Sequence, residues 1–229
     1  MSCSSSSLRP FSAFVLLVFA ALPLSANTIH VPADQATLQK AIDAGSNGDT
    51  VLVSDGTYME NIDCKGKAIT IKSVNGPATT IIDGAKLDYV VKFITNEVRS
   101  SVLEGFTITN GNPGAISLLS SSPTIQNNII TANIGCSGIG LNISLASPLV
   151  LNNTISNNTQ SGWSGGTGGG GMEIIGASVD GAQIIGNTIT GNNSGNGANG
   201  GHWPLDSRSR PHPGQLYQRQ HLILQRRRH

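Results

Sequence analysis

Positive charge is missing from the middle of this chain: no Lys or Arg occurs between Ser100 and Ser207. A nucleic-acid binder needs basic groups on its folded surface to displace counterions, so that class is excluded. Charged residues overall reach only 12%, about half the usual ~25%. That shortage argues against helices with salt-bridged faces and against a polyelectrolyte disordered chain. Aromatics are only 4%, and Trp163, on a glycine-rich stretch, is the only Trp before the last 28 residues that could stack on a sugar ring. No apolar run reaches the ~20 residues that span a bilayer.

The longest apolar run, Phe14 to Leu22, follows Arg9 and precedes Pro23, Leu24, Ser25 and Ala26. A short positive region, an apolar stretch and small residues at its end read as a secretory signal, residues 1–26, cleaved after Ala26. The alternative is an uncleaved anchor. No cysteine stands at the cleavage position, which argues against a lipid anchor. A secreted, extracellular or outer-surface destination is therefore expected, with no membrane span after cleavage.

Four segments superimpose on one another: Leu103–Asn110, Ile125–Asn133, Val150–Asn158 and Ile184–Asn192. Each carries an aliphatic residue and then, five positions on, an isoleucine: Ile108, Ile130, Ile155 and Ile189. Three positions before that Ile stand Gly105, Asn127, Asn152 and Gly186. Gly and Asn are the types that readily take the left-handed backbone conformation, so this column predicts a fixed bend between two short strands. Beside it lie Phe106, Asn128, Asn153 and Asn187. Buried amides cost several kcal/mol unless paired, and stacking them as a ladder pairs all but the ends.

The repeat is 22, 25 and then 34 residues long, measured between the isoleucines. Such a period indicates a solenoid whose coils bury their faces on one another. A strict hexapeptide rhythm and a leucine-rich pattern are both absent, which removes the left-handed β-helix and the leucine-rich repeat. Variable coil length around a fixed bend predicts an all-β fold, the right-handed parallel β-helix, over residues 27–201 with coils about 50–201. Length differences become outward loops, the largest from Thr159 to Gly171. A short helix, about residues 35–44, is expected to cap the first coil, with Asp34 as its N-cap and Leu38, Ala41 and Ile42 on its buried face. Strands are expected at Thr50–Val53, Ala68–Ser73, Thr80–Ile82 and Val90–Phe93, with turns at Asp55-Gly56, Asn75-Gly76-Pro77 and Asp83-Gly84. Cys64 and Cys136 fall several coils apart. At ~4.8 Å per coil they lie beyond the ~7 Å limit for a disulfide, and two free, buried thiols are expected.

The chain resembles secreted bacterial right-handed β-helix repeat proteins of the pectin-lyase-like superfamily. The residues that carry the resemblance are Ile29-His30-Val31-Pro32, Leu38-Gln39-Lys40-Ala41-Ile42-Asp43, Gly48-Asp49-Thr50-Val51-Leu52-Val53, Gly56-Thr57-Tyr58 with Glu60-Asn61-Ile62, Gly105-Phe106-Thr107-Ile108-Thr109-Asn110-Gly111 and Ser122-Pro123-Thr124-Ile125. The resemblance implies the fold over about Asn27 to Gly201. It does not imply an activity, because this fold carries lyases, hydrolases, epimerases, adhesins and non-catalytic proteins.

After Gly201 the composition breaks: Asn disappears and six Arg occur among residues 202–229. One reading is a disordered basic tail for anionic polymers; the other is a shifted reading frame. Dropping one nucleotide before His202 lets the code yield Gly-Ile-Gly-Leu, as at Gly138-Ile139-Gly140-Leu141. The same shift lets positions 214–220 read Gly-Asn-Ser-Ile-Asn-Ala-Asn, close to Gly186–Asn192. The shifted frame is the expected origin of the tail.

The lyases that the chain resembles use clustered Asp for calcium with an Arg or Lys base, and the hydrolases use several Asp with a His. From Gly105 to Gly201 the only charged residues are Glu173 and Asp180, and the stretch has no His or Tyr. Acid–base catalysis needs a titratable pair within hydrogen-bond reach, so no catalytic, cofactor-binding or metal residue is nominated and no cofactor is expected. Asp83, Lys86, Asp88, Lys92, Glu97, Arg99 and Glu104 are read as solvated surface, and His30 as an ordinary strand residue. The function expected is a non-catalytic, monomeric, exported β-helix binding polysaccharide or another cell-surface polymer. The alternative is a polysaccharide lyase or hydrolase whose catalytic coils lie beyond the break.

Overall fold

The structure, a computed structural model, describes residues 26–161, 169–176 and 181–193. Residues 1–25, which hold most of the expected secretory signal, Trp163, Asp180 and the basic tail lie outside the described residues. What is described is a right-handed parallel β-helix. The chain enters through β1 (Thr28–Val31) and one short helix, α1 (Leu38–Ala44). The first full coil is β2 (Thr50–Val53), β3 (Gly56–Met59) and β4 (Ile62–Asp63); the second is β5 (Thr70–Ser73), β6 (Thr80–Asp83) and β7 (Val91–Phe93). The third is β8 (Val102–Glu104), β9 (Thr107–Thr109) and β10 (Ile116–Leu119). The fourth and fifth each add a small strand: β11 (Thr124–Gln126), β12 (Ile129–Thr131), β13 (Ile134–Gly135), β14 (Leu141–Ser144), then β15 (Leu149–Leu151), β16 (Thr154–Ser156), β17 (Thr159–Gln160), β18 (Met172–Ile175). A sixth coil is described through β19 (Gln183–Ile185) and β20 (Thr188–Thr190).

Equivalent strands stack into a seven-stranded, a six-stranded and a five-stranded sheet, with β13 and β17 as a two-stranded fourth. All pairs are parallel and in register. Ile82, Ile108, Ile130, Ile155 and Ile189 form one continuous inner column, and Val51, Ile71, Leu103, Ile125, Val150 and Ile184 another. Every one is at most 9% exposed, and burying an aliphatic side chain of this size contributes ~1.5–3 kcal/mol. Because strand side chains alternate, the residues on either side of each inner isoleucine point outward.

The bend column behaves as its residue types require. Gly105, Asn127, Asn152 and Gly186 have φ of 82°, 55°, 53° and 64°. A second bend follows five residues later at Asn110, Ala132, Asn157 and Gly191, with φ of 56°, 56°, 55° and 64°. Its column includes an alanine, so composition alone hid it. After each bend runs an amide rail. Asn128 N and Nδ2 both donate to Asn153 Oδ1, and Asn153 N and Nδ2 to Asn187 Oδ1. In parallel, Asn133 donates the same way to Asn158, and Asn158 to Asn192.

The amino-terminal cap is held by residues of later coils. Glu60 accepts at its two oxygens from Leu38 N and Gln39 N, at 2.9 and 3.0 Å. Lys67 Nζ donates to the carbonyls of Ile42, Asp43 and Gly45, each at 2.7 Å. Both ends of α1 are thus satisfied by charged groups, while Leu38, Ala41 and Ile42 face the core as expected.

Four expectations are corrected. The N-cap is Thr37, whose side chain accepts from Lys40 N, and the helix starts at Leu38; Asp34 instead binds the backbone and ring of His30. Cys136 is exposed, whereas Cys64 is buried; Cys136 sits at a corner outside the inner columns, and burial pushes the Cys64 thiol up, with Glu97 and Asp63 adding to the effect. Glu97 is 2% exposed rather than solvated, because its carboxylate accepts from Gly66 N, Thr95 N and Ser121 Oγ. Thr159 and Gln160 form a strand rather than opening a loop.

Candidate binding face

The outer surfaces of the three sheets differ in chemistry. On the seven-stranded sheet, Lys72, Glu104 and Gln126 lie side by side in register. Lys72 Nζ is 3.1 Å from Glu104 Oε1, and Gln126 Nε2 donates to Glu104 Oε2. Partial burial would raise the Glu104 carboxyl, but these partners outweigh it and hold the group below the usual range. The groups answer one another and leave no charge unmatched.

On the five-stranded sheet the outward row is Asp63, Lys92, Ser117, Asn142 and Glu173. Lys92 pairs with Asp88 at 2.8 Å. Glu173 is 7% exposed and receives the Ser137 hydroxyl. Tyr89 lies near this corner: burial raises its phenol, and Asp88, Glu173 and Cys136 raise it further. Two carboxylates thus act on this phenol, Asp88 paired with Lys92 and Glu173 bound by Ser137. Among the described residues there is no group of three His, Cys, Asp or Glu side chains that could hold a metal ion.

The six-stranded sheet is uncharged over four consecutive coils. Flanking the inner isoleucines are Thr107 and Thr109, Ile129 and Thr131, Thr154 and Ser156, Thr188 and Thr190. Ladder pairing sets them in two columns, Thr107–Ile129–Thr154–Thr188 and Thr109–Thr131–Ser156–Thr190. Positions along each column lie ~4.8 Å apart and the two positions of each strand ~6.6 Å apart, and every position but that of Ile129 carries a hydroxyl. Thr107 Oγ1 donates to Pro77 O, and Ser156 Oγ lies 3.4 Å from Thr131 Oγ1; the other four hydroxyls make no hydrogen bond within the described residues. At the amino-terminal edge the face ends where Asp83, bound by Asn110 Nδ2 at 2.8 Å, enters the second column. Sequence reasoning identified the inner isoleucines but not this array. The signal was present: a hydroxyl residue stands on both sides of three of those isoleucines and on one side of Ile130.

The comparisons with known proteins bear on this chain as a whole. A family profile described as "Protein of unknown function (DUF1565)" matches residues 60–207. The chain belongs to the DUF1565 family. The DUF1565 match covers more than half of the chain, from β4 through every later coil, and runs six residues past Gly201. It leaves out α1 and the strands before Glu60. No curated protein and no solved structure matches the chain. Among the described residues, no helix is long and apolar enough to cross a membrane.

Proposed function

We propose that this chain is an exported, non-catalytic β-helix protein that binds a neutral polysaccharide at or outside the cell surface. One observation carries the reading: the uncharged hydroxyl face of the six-stranded sheet, Thr107 to Thr190 over four coils. Threonine hydroxyls exchange hydrogen bonds with sugar hydroxyls, and their methyls pack against the C–H faces of a ring. A face without charge releases no counterions on binding, so it selects neutral polymers over anionic ones. Neither alcohols nor methyls transfer protons near neutral pH, which supports binding without cleavage. A parallel sheet locked by ladder bonds also presents its groups with little ordering cost.

The test is affinity electrophoresis of the 229-residue chain against neutral and anionic polysaccharides at low and high salt. Retardation by a neutral polymer, unchanged by salt, is expected. Failure to be retarded by any polysaccharide overturns the reading, and retardation only by anionic ones overturns the choice of face.

A further inference from the structure

The two amide rails have a direction. In each, Oδ1 faces the preceding coil and accepts two N–H groups, while the backbone N–H faces the coil that follows. Phe106 N and Gly111 N enter the rails at 2.9 and 2.8 Å, on Asn128 Oδ1 and Asn133 Oδ1. Asn187 and Asn192 are the last rungs described. Their side chains are spent backwards, on Val150 O and Ile155 O at 2.8 and 2.9 Å. Among the described residues no acceptor takes the backbone N–H of either one, although Asn192 is 1% exposed. A buried donor is costly to leave without a partner. The last described rungs therefore suit an occupant with two side-chain amides five residues apart and an aliphatic residue two places after the first.

A second copy of the chain does not fit. Head-to-tail stacking is blocked by α1, clamped over the first coil by Glu60 and Lys67. Face-to-face stacking would set N–H against N–H. Within this chain, the residues after Asn193 hold only Asn196 and Asn199, three apart.

We propose that the occupant is a further coil of the same helix, encoded one nucleotide out of frame after Gly201. Read in that frame, the codons of Gln215, Tyr217 and Gln220 can supply Asn, Ile and Asn. These positions stand in the spacing of Asn187, Ile189 and Asn192, and lie 28 residues further on, inside the 22–34-residue range of the repeat. The same frame permits Ser at position 216 and Asn at position 218, beside the isoleucine. The coil would thus extend the uncharged face as well as both rails.

The experiment begins with the nucleotide sequence of codons 201–229, followed by expression of the 229-residue chain and of a chain with one nucleotide removed before codon 202. The shifted frame is expected to encode Asn at positions 215 and 220. Hydrogen exchange then reads the rungs. In the 229-residue chain, the amides of Asn187 and Asn192 should exchange at least 100-fold faster than those of Asn153 and Asn158; in the frame-restored chain they should slow to match. Placing leucine at positions 215 and 220 of the restored chain should return Asn187 and Asn192 to fast exchange while leaving Asn153 and Asn158 slow. A stop codon early in the shifted frame, other residues at both positions, or unchanged exchange at Asn187 and Asn192 overturns the proposal. Polysaccharide binding is not read in this experiment, so its outcome is independent of the function proposed above.

Discussion

Asn128 spends two donors on one atom: its backbone N–H and its side-chain Nδ2 reach Asn153 Oδ1 at 3.0 and 3.1 Å. Asn153 in turn donates to Ile125 O, Leu151 O and Asn187 Oδ1. Asn153→Ala therefore strands donors and acceptors on three coils at once. With ~1–3 kcal/mol for each group left unpaired, a loss of about 3 kcal/mol or more is expected. Urea denaturation checks it, and a loss below about 1 kcal/mol would show that the rail is not a stabilising element.

Ala132 takes φ 56° on an exposed bend where its column otherwise holds Asn or Gly. The left-handed conformation costs a residue with a Cβ ~1–2 kcal/mol, and glycine's extra freedom in the unfolded chain returns up to ~1 of that. Ala132→Gly should stabilise by about 0.5 kcal/mol, seen as a higher melting temperature. A lower one contradicts the argument.

Lys67 holds three carbonyls at the end of α1. Charge-assisted bonds contribute ~1.5–3 kcal/mol each but do not add in full. Lys67→Met keeps the stem and should cost about 2 kcal/mol by chemical denaturation. Its expected signature is earlier proteolysis near α1 than in the parent chain.

Asp49 accepts from Ser46 N and Asn27 N, at 2.8 Å each, and these two bonds hold its carboxyl below the usual aspartate range. A carboxyl lowered on folding stabilises the native state above its unfolded value, and that contribution is lost as pH falls through the lower, folded value. Between neutrality and about pH 2, Asp49→Asn should show a shallower loss of stability on the acid side than the parent. Parallel curves would refute the linkage.

On the six-stranded sheet, Thr131→Glu and Thr154→Glu place charge in the middle of the outer columns without touching the inner isoleucines. Each should weaken binding of a neutral polysaccharide at least tenfold while leaving the melting temperature within a few degrees. Unchanged retardation of both variants moves the binding face elsewhere.

The coil architecture was readable from residue order because its determinants are local and recurrent. A left-handed bend admits few residue types, an inner strand position demands a branched aliphatic, and repeating both marks each coil. Gly105, Asn127, Asn152 and Gly186 announced the bend, and the isoleucines between bends announced the core. The second bend escaped notice because Ala132 occupies it against its intrinsic preference, held there by the rail at Asn133. Cys136 was misplaced because spacing along the chain does not say which corner residues turn outward.

Tertiary structure alone decided what depends on register between coils of unequal length. Glu60 and Lys67 meet α1 across more than 20 residues, and Glu97 is buried by partners 31 and 24 residues away. The hydroxyls of Thr131 and Ser156 become neighbours only when a ladder sets one coil above another. Local chemistry chooses the conformation of each residue; the hydrogen bonds between coils choose which residues share a face, and with it what the surface can bind.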